Sequence, residues 1–384
     1  MMNPDDHAEE ERKSFLQVLA AFKHYDTYSM LRVNKTESYL NTLPNEHQDM
    51  LLPYRNHLNK LRDCIECNYR IISKMIKDSD QLFLNSGETS IRQEIVGADE
   101  VTKIRQQDLE SRVDPFKSLK VQITLKQFAR DWSSDGEEER RQCYQPIIDA
   151  IMDFYKPEEY DLSKIKILVP GAGLGRMAYE LAYRGYCCEG NEFSFFMLIA
   201  SNFVLNKCEI ENQYTIYPWI HQYVNNVCRS DQIAPITFPD VSPVEAPPKG
   251  PLSMVAGDFL LVYTEPDSWD GIATCFFIDC ANNVIEFIET IYRILKPGAI
   301  WVNLGPLLYH YSDVQDELSI EPTCEDLVAI IKAVGFELLK CETGVRTQYA
   351  QNPRSMQQSE YLSIFCVCRK PLVINNGIHI EEDN

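Results

Sequence analysis

The stretch IKILVPGAGLGRMAYELAYRGYCCEGNE, residues 165–192, decides the fold of this 384-residue chain. An apolar run leads into a glycine turn, an amphipathic segment follows, and a second strand-like run ends on Glu192. Strand, glycine turn, helix and strand in this order predict a βαβ unit with parallel strands. Ligands of such sheets bind at the carboxyl ends of the strands, where glycines let the backbone approach a cofactor closely.

The spacing of glycines and acid in this stretch indicates an adenosine-containing cofactor. Gly171, Gly173 and Gly175 lie in the turn, and Glu192 follows Gly171 by 21 residues. In this architecture a carboxylate about 20 residues after the turn binds ribose hydroxyls. The spacing departs from the Gly-x-Gly-x-x-Gly of dinucleotide folds. The turn LKPG at 295–298 resembles one common in class I S-adenosylmethionine (SAM) methyltransferases, so we predict SAM in preference to NAD.

Two further segments are candidates for cofactor contacts. The turn that carries Asp258 and Phe259 resembles the acidic turn that takes the adenine amino group in this class, with the phenyl ring flanking the adenine. Gln127 and Arg130 lie one helical turn apart, where an amide and a guanidinium could hold the SAM carboxylate. From the residues alone, an ordinary β-turn and a surface helix remain the alternatives.

The predicted fold class is α/β, with a Rossmann-like class I methyltransferase core and an α-helical N-terminal region. The core sheet is expected to be mostly parallel, with an antiparallel last strand. The N-terminal helices are expected either to cap the core or to mediate a homodimer. The predicted regions are a helical region with a polar linker (1–114, linker about 85–114), the core with an insertion near the site (115–371, insertion about 220–252) and a flexible tail (372–384).

The composition excludes several classes of protein. The net charge is −20, whereas nucleic-acid binders need clustered Lys and Arg, so no nucleic-acid partner is expected. No apolar run approaches the roughly 20 residues that span a bilayer, so no membrane association is expected. The 13 scattered cysteines predict reduced thiols in the cytosol or nucleus. Cys64 and Cys67 have CxxC spacing without a second pair, so no metal is expected.

Five long motifs resemble those of the carnosine N-methyltransferase family. They are GAGLGRMAYELA, GNEFSFFMLIASNFVLN, YPWIHQ, FFIDCANNVIEFIETI and NLGPLLYH. The likeness runs from about Leu125 to Arg369. The family methylates the imidazole of carnosine, β-alanyl-histidine, to give anserine with SAM as donor. The resemblance implies that SAM is surrounded by Gln127, Arg130, Gly171, Gly173, Glu192, Asp258, Phe259 and Cys275. It implies a dipeptide pocket formed by Phe276, Asp279, His310, Tyr349 and Tyr361, with the sequence departing most around Tyr349.

The chemistry of imidazole methylation gives Asp279 and His310 their expected catalytic roles. A neutral ring nitrogen must lie about 3 Å from the methyl group. A carboxylate such as Asp279 that accepts the other ring N–H fixes the tautomer and stabilises the imidazolium product. Asp279 is expected at the end of a buried apolar strand, and His310 at the end of the strand AIWVNLGPLLYH. The alternatives are an N-cap role for Asp279 near Asn283 and a structural role for His310. Histidine methylation in peptides or proteins is the alternative function, and a non-catalytic scaffold is a further one.

Overall fold

A computed structural model describes residues 4–77, 79, 115–315 and 317–372. The predicted linker at 85–114 lies outside these residues, as does the predicted tail after residue 372. No helix in the described ranges is both long enough and apolar enough to cross a membrane.

The N-terminal region is helical, as the sequence predicts. Its helices are α1 (Pro4–Lys23), α2 (Tyr25–Asn41), α3 (Asn45–Met50) and α4 (Leu52–Ile76). Pro44 immediately precedes α3 and Pro53 lies in the first turn of α4, where a missing N–H costs no intrahelical hydrogen bond. The two prolines therefore fix where these helices begin.

A seven-stranded sheet forms the centre of the molecule. The strands of the chain are β1 (Lys166–Pro170), β2 (Cys187–Glu192), β3 (Tyr214–Ile216), β4 (Ile236–Phe238), β5 (Leu252–Ala256), β6 (Trp269–Cys275), β7 (Leu295–Gly305), β8 (Glu337–Thr347) and β9 (Tyr361–Arg369). The order in the large sheet is β5-β2-β1-β6-β7-β9-β8, and β3 pairs with β4 separately. β9 runs antiparallel to both of its neighbours. The predicted Rossmann-like sheet with an antiparallel last strand is confirmed.

Helices cover both faces of this sheet. Those of the core are α5 (Pro115–Trp132), α6 (Glu137–Cys143), α7 (Gln145–Phe154), α8 (Arg176–Tyr183), α9 (Phe195–Lys207), α10 (Arg229–Gln232), α11 (Phe259–Val262), α12 (Val284–Ile294) and α13 (Cys324–Val334). Along β1, Ile167 and Val169 pack in one hydrophobic cluster with α7 and α8, whereas Leu168 packs in another with α12 and α13. This alternation is that of a strand buried on both faces.

The N-terminal helices pack directly on the core. Phe22, Leu58 and Ile65 are buried in one cluster with residues of α5, α9, β3 and β4. The buried Asn68 of α4 accepts from the Tyr217 N–H at 2.7 Å and donates to the Tyr217 carbonyl at 3.0 Å. These bonds satisfy a backbone segment that would otherwise be buried without partners. The helical region therefore caps the core.

A short polar chain extends this contact into the predicted insertion. The Asn68 amide donates to the Tyr25 hydroxyl at 2.9 Å, and that hydroxyl lies 3.0 Å from Nε2 of His221. Burial lowers the pKa of His221 to about 3, so its ring is neutral. The segment after β3 thus holds the helical region by specific hydrogen bonds.

Two predicted strand ends are wrong. β6 ends at Cys275 and β7 at Gly305, so Asp279 lies in a 3-10 turn (Ile278–Cys280) and His310 in a later turn. The next residue after β6, Phe276, has a left-handed backbone with φ +53°, which turns the chain out of the sheet. Both side chains are consequently placed by loops beyond the carboxyl edge of the sheet.

Candidate functional site

A cavity of about 460 Å³ opens at the carboxyl ends of β1, β2 and β6. All eight predicted cofactor residues line it, namely Gln127, Arg130, Gly171, Gly173, Glu192, Asp258, Phe259 and Cys275. Three of the predicted substrate residues line it as well, namely Phe276, His310 and Tyr349. Asp279 and Tyr361 are not among the residues that line it. The structure therefore brings together side chains from six separate segments of the chain.

The glycine turn and Glu192 form one hydrogen-bonded unit at the base of the cavity. Gly171 and Gly173 have φ of +64° and +55°, which favours glycine because a Cβ is strained there. The Glu192 carboxylate accepts from the Gly173 N–H at 2.9 Å and from the Ser194 N–H at 2.8 Å. Burial raises the pKa of Glu192, and these backbone hydrogen bonds oppose that rise. Glu192 holds the shape of the turn and keeps further lone pairs for a ligand.

The acidic turn after β5 forms the wall beside Glu192. Asp258 is the N-cap of α11, and its carboxylate accepts from the Leu260 N–H at 2.8 Å. Phe259 is buried, with its ring 5.5 Å from Phe277 and 5.4 Å from Phe287. The turn thus presents a carboxylate and a flat aromatic surface, which are the groups expected to contact an adenine.

Arg130 occupies the opposite wall in a fixed position. Its guanidinium donates to Asp131 at 3.0 Å and to the Tyr144 hydroxyl at 2.5 Å. It also lies between two aromatic rings, 4.8 Å from the Tyr144 centroid and 4.6 Å from that of Tyr349. Gln127, one turn earlier on α5, donates to the Tyr349 hydroxyl at 2.6 Å. The guanidinium is therefore oriented by a carboxylate and two tyrosines.

Tyr349 is held beside the cavity from several directions. Glu139 of α6 accepts from the N–H groups of Ala350 and Gln351, which fixes the loop that follows β8. Burial raises the pKa of Tyr349 to about 12, so its hydroxyl remains protonated. The hydroxyl can therefore act as a donor towards the cavity while it accepts from Gln127.

Phe276 joins the cofactor side of the cavity to the substrate side. Its ring centroid lies 5.0 Å from that of Tyr349 and 5.7 Å from that of Tyr361. The left-handed backbone of Phe276 is accommodated because Gly305 opposite it has no Cβ, which would stand 3.0 Å from the Phe276 nitrogen. Residues in sparsely populated conformations persist where the surroundings hold them, and they cluster at functional sites.

Asp279 is a buried carboxylate with a free oxygen. Its Oδ2 accepts from the Leu308 N–H at 3.0 Å, but its Oδ1 has no hydrogen-bond partner among the described residues. Burial raises the pKa of Asp279 because the ionised form loses hydration. The N-cap of α12 is Asn283, which accepts from Ile285 N–H at 3.1 Å, so Asp279 does not cap that helix.

His310 lies next to this carboxylate and is exposed to solvent. Its backbone N–H donates to the Asp279 carbonyl at 2.9 Å, which ties the two loops together. Its ring Nδ1 is 3.4 Å from Sγ of Cys280. An exposed ring beside a buried, unsatisfied carboxylate marks the side from which a substrate can enter.

Residues 220–252, predicted as an insertion near the site, contribute no residue to the lining of this cavity. They reach it indirectly, since Gln222 donates to Ser355 at 2.7 Å in the loop that follows Tyr349. A larger hollow of about 850 Å³ lies between α4 and residues 223–233, and none of the predicted site residues lines it.

Comparison with known proteins identifies the family of the chain. The sequence profile of the family described as carnosine N-methyltransferase matches residues 107–372. The chain belongs to the carnosine N-methyltransferase family. A family member from Drosophila melanogaster is 54% identical over 368 residues, covering 94% of this chain and 81% of its own length.

More distant relatives carry the same family name. A Mus musculus carnosine N-methyltransferase is 46% identical, covering 96% of this chain and 88% of its own length. One from Schizosaccharomyces pombe is 37% identical, covering 95% of this chain and 97% of its own. Among solved structures, a SAM-dependent methyltransferase from Methanosarcina mazei is 14% identical with a TM-score of 0.37, covering 56% of this chain and 96% of its own.

Among the residues lining the cavity that sequence reasoning missed, three contact a predicted site residue through a side chain that can ionise. Asp131 and Tyr144 line it and orient Arg130, and Cys280 lines it next to His310. Asp131 follows Arg130 directly and Cys280 follows Asp279 directly, so adjacency to a candidate residue was the available signal. Tyr144 gave no such signal, because it ends α6 and approaches Arg130 only through the packing of that helix.

Proposed function

We propose that this chain transfers a methyl group from SAM to an imidazole nitrogen of carnosine and so produces anserine. Family membership supports the reaction and the substrate. The structural observation that carries the proposal is the free Oδ1 of the buried Asp279 beside the exposed His310. This oxygen is a strong acceptor that needs an N–H donor, and an imidazole supplies one.

The cavity has the charge and the space that this cofactor requires. Three carboxylates line it, namely Asp131, Glu192 and Asp258, against the single guanidinium of Arg130. A Cβ at Gly173 would meet nothing closer than Oδ2 of Asp131 at 3.8 Å, so the turn leaves room against its backbone. When bound, SAM supplies a methyl group made electrophilic by the positive charge on sulfur.

Each wall of the cavity has its own part in holding the cofactor. Glu192 accepts from the ribose hydroxyls, and Asp258 accepts from the adenine amino group beside the ring of Phe259. Arg130 and Gln127 hold the carboxylate of the amino acid portion. Because Asp131 and Tyr144 fix the Arg130 guanidinium in advance, little conformational entropy is lost when that carboxylate binds.

On the substrate side, Asp279 selects the ring nitrogen that reacts. Its Oδ1 accepts the N–H of one nitrogen, which leaves the lone pair of the other free to attack. As the ring becomes an imidazolium, the negative charge of Asp279 stabilises it in a site of low polarity. His310 and Tyr349 position the dipeptide, and Phe276 and Tyr361 form the apolar wall against its ring.

The decisive experiment gives the purified protein labelled SAM with carnosine, anserine, free histidine and a histidine-containing peptide in parallel. We expect labelled anserine to form when carnosine is the acceptor. When anserine is the acceptor we expect no transfer, because its reactive nitrogen already carries the methyl group. Label in the peptide but not in carnosine would replace the dipeptide by a protein substrate. Absence of transfer to every acceptor, with SAM binding intact by calorimetry, would overturn the proposal.

We further propose a homodimer formed through the N-terminal helices, in the cytosol or nucleus. Tyr39, Met50 and Leu52 support the dimer, since these large apolar side chains are more than half exposed around the α2–α4 connection. All thirteen cysteines are free, which is compatible with a reducing compartment. Multi-angle light scattering of wild type and Met50→Glu tests the dimer, and a monomeric wild type contradicts it.

A further inference from the structure

Three side chains beside the cavity bring together an oxygen, a sulfur and a nitrogen donor. One ligand atom each from Asp279, Cys280 and His310 lie within 4.8 Å of one another. Within the described ranges this is the one group of three or more such residues with that spacing. Asp279 is buried, Cys280 is half-buried and His310 is exposed, so the group extends from the interior to the solvent.

The distance between the sulfur and the nitrogen of this group matches that of donors that share a zinc ion. Two donors on one tetrahedral zinc, with Zn–S of about 2.3 Å and Zn–N of about 2.0 Å, lie about 3.5 Å apart. Sγ of Cys280 is 3.4 Å from Nδ1 of His310. The third donor is a carboxylate oxygen of Asp279. The Oδ1 of this side chain is buried without a hydrogen-bond partner among the described residues, so a bound cation would satisfy it as well as an imidazole N–H would.

We propose that Asp279, Cys280 and His310 form a binding site for Zn²⁺, with a fourth position open, and that bound zinc excludes carnosine from the active site. The blocking part rests on the proposed function, because it requires Asp279 and His310 to receive the substrate ring. The site is inhibitory and supplies no step of the reaction.

The surroundings of the three donors favour this use. The Leu308 N–H donates to Oδ2 of Asp279 at 3.0 Å and so orients the carboxylate, while Oδ1 has no hydrogen-bond partner among the described residues. Metal-binding carboxylates are commonly oriented by such a hydrogen bond. The His310 N–H bonds to the Asp279 carbonyl at 2.9 Å, which holds the two loops at the spacing of a chelate. A thiolate with an imidazole and a carboxylate is a donor set typical of zinc.

Zinc binding releases one proton. The Cys280 thiol loses its proton to solvent as the Zn–S bond forms, while the carboxylate and the neutral imidazole bind through lone pairs they already have. Zinc affinity therefore increases as the pH rises.

The direct test uses Co²⁺ as a spectroscopic substitute for zinc on the full-length, metal-free protein without SAM or carnosine. We expect an absorption band from thiolate-to-cobalt charge transfer that one equivalent of Zn²⁺ abolishes. Cys280→Ser should remove the band, and the matched Cys67→Ser in the CxxC pair of α4 should leave it unchanged. A wild type without the band, or a band that survives in Cys280→Ser and disappears in Cys67→Ser, overturns the site.

Equilibrium dialysis against buffered free zinc gives the affinity. We expect one zinc per chain and a loss of more than about tenfold in affinity for Cys280→Ser and His310→Gln. Circular dichroism confirms that each variant is folded, and Cys280→Ala provides a second thiol-free variant if the serine does not fold. Equal zinc affinity in all folded variants contradicts the proposal.

Inhibition is measured separately, with free zinc fixed by a metal buffer because carnosine itself carries an imidazole ligand. We expect zinc to raise the KM for carnosine at unchanged kcat, as a competitor for the substrate position does. Zinc that binds without raising this KM overturns the blocking part alone. If the protein transfers no methyl group at all, the cobalt band still decides the metal site, so the two failures are distinguishable.

Discussion

At the scale of single residues, substitution of the buried Asp279 is expected to lower activity without lowering stability. We expect Asp279→Asn to lower kcat by about 100-fold or more, because the amide lacks the charge that stabilises an imidazolium. The pKa of Asp279 is raised above its ordinary 3.8 in the folded protein, so the ionised side chain costs stability at neutral pH. Asn removes that cost and still accepts from Leu308, so the melting temperature should stay equal or rise.

Turnover at saturating SAM and calorimetric melting curves check this prediction. SAM affinity serves as the control, since Asp279 is not among the residues that line the cofactor cavity. A variant with near-normal turnover would leave Asp279 without a catalytic role. A variant that loses both SAM binding and several degrees of melting temperature would make the residue structural.

Gly171 and Gly173 have similar backbones and different surroundings, which provides a matched pair. Asn tolerates a left-handed backbone, so the effect of its side chain can be compared at both positions. At Gly173 the new side chain enters open space in the cavity, and we expect Gly173→Asn to weaken SAM binding about tenfold or more. At Gly171 a Cβ stands 2.5 Å from the Phe277 ring, so Gly171→Asn should cost about 1–3 kcal/mol of stability.

Titration calorimetry with SAM and thermal melting distinguish the two outcomes. The prediction requires that Gly173→Asn mainly loses affinity for SAM and that Gly171→Asn mainly loses melting temperature. If Gly173→Asn binds SAM as tightly as wild type, the turn does not contact the cofactor.

Site residues can be predicted from the sequence where they contact residues that are close to them along the chain. Glu192 bonds to Gly173, only 19 positions away, and the spacing of glycine and acid predicted both. The contact between Gln127 and Tyr349 spans 222 positions, and local pattern carries no information on it. Tyr349 was predicted only through the resemblance to a family. Tyr144 was not predicted, because it reaches the site through the packing of α6.

At the scale of elements, the crossing of β7 with the turn after β6 depends on Gly305. A Cβ there would stand 3.0 Å from the Phe276 nitrogen and 3.1 Å from its Cα, and backbone atoms cannot rotate away. We expect Gly305→Ala to cost about 1–3 kcal/mol of stability and to raise the KM for carnosine by displacing Phe276.

Urea unfolding and steady-state kinetics on carnosine check the effect of Gly305→Ala. Gly344→Ala in β8 is the control, because its φ is +75° but nothing lies within 4 Å of the new Cβ. This control should lose some stability through backbone strain and keep its KM. A Gly305→Ala variant with the stability and KM of wild type would mean that Phe276 tolerates a different backbone.

The helix α12 was predictable from its apolar periodicity and its N-cap, and the strand β9 from its apolar residues. The ends of β6 and β7 near the site were not. Apolar residues continue past Cys275 and past Gly305, so pattern alone extends both strands. β6 ends where Phe276 takes a left-handed conformation, which the identity of an aromatic residue does not predict.

At the scale of the whole molecule, His221 makes stability depend on pH. Its pKa is about 3 when folded and 6.5 in its ordinary state, so below pH 6.5 the unfolded chain binds a proton that the folded chain does not. The free energy of unfolding should therefore fall as the pH falls, by at most about 1.4 kcal/mol per pH unit from this group.

Urea unfolding between about pH 7 and about pH 5 measures the slope of stability against pH. His221→Gln keeps a hydrogen-bonding partner for Tyr25 and should flatten the slope, whereas His47→Gln on the exposed face of α3 should not. Equal slopes in the two variants would contradict a neutral His221 in the folded protein.

The class of fold and the helical N-terminal region followed from the sequence, but the docking of that region on the core did not. Asn68 and Tyr217 are 149 positions apart, and the Asn68 side-chain amide bonds to both the N–H and the carbonyl of Tyr217. An Asn on an otherwise apolar helix face does not by itself indicate which part of the chain the helix packs against. That the helical region caps the core, one of the two roles expected from the sequence, therefore required the three-dimensional structure.

The cavity is lined by residues from Ile123 to Tyr349, so it exists only while most of the core is folded. A ligand of such a cavity binds the native chain and has no affinity for the unfolded one. Cofactor present at about 100 times its Kd then adds about 2.7 kcal/mol to the free energy of unfolding. We therefore expect proteolysis of the purified protein to slow as the concentration of the methyl donor is raised above its Kd.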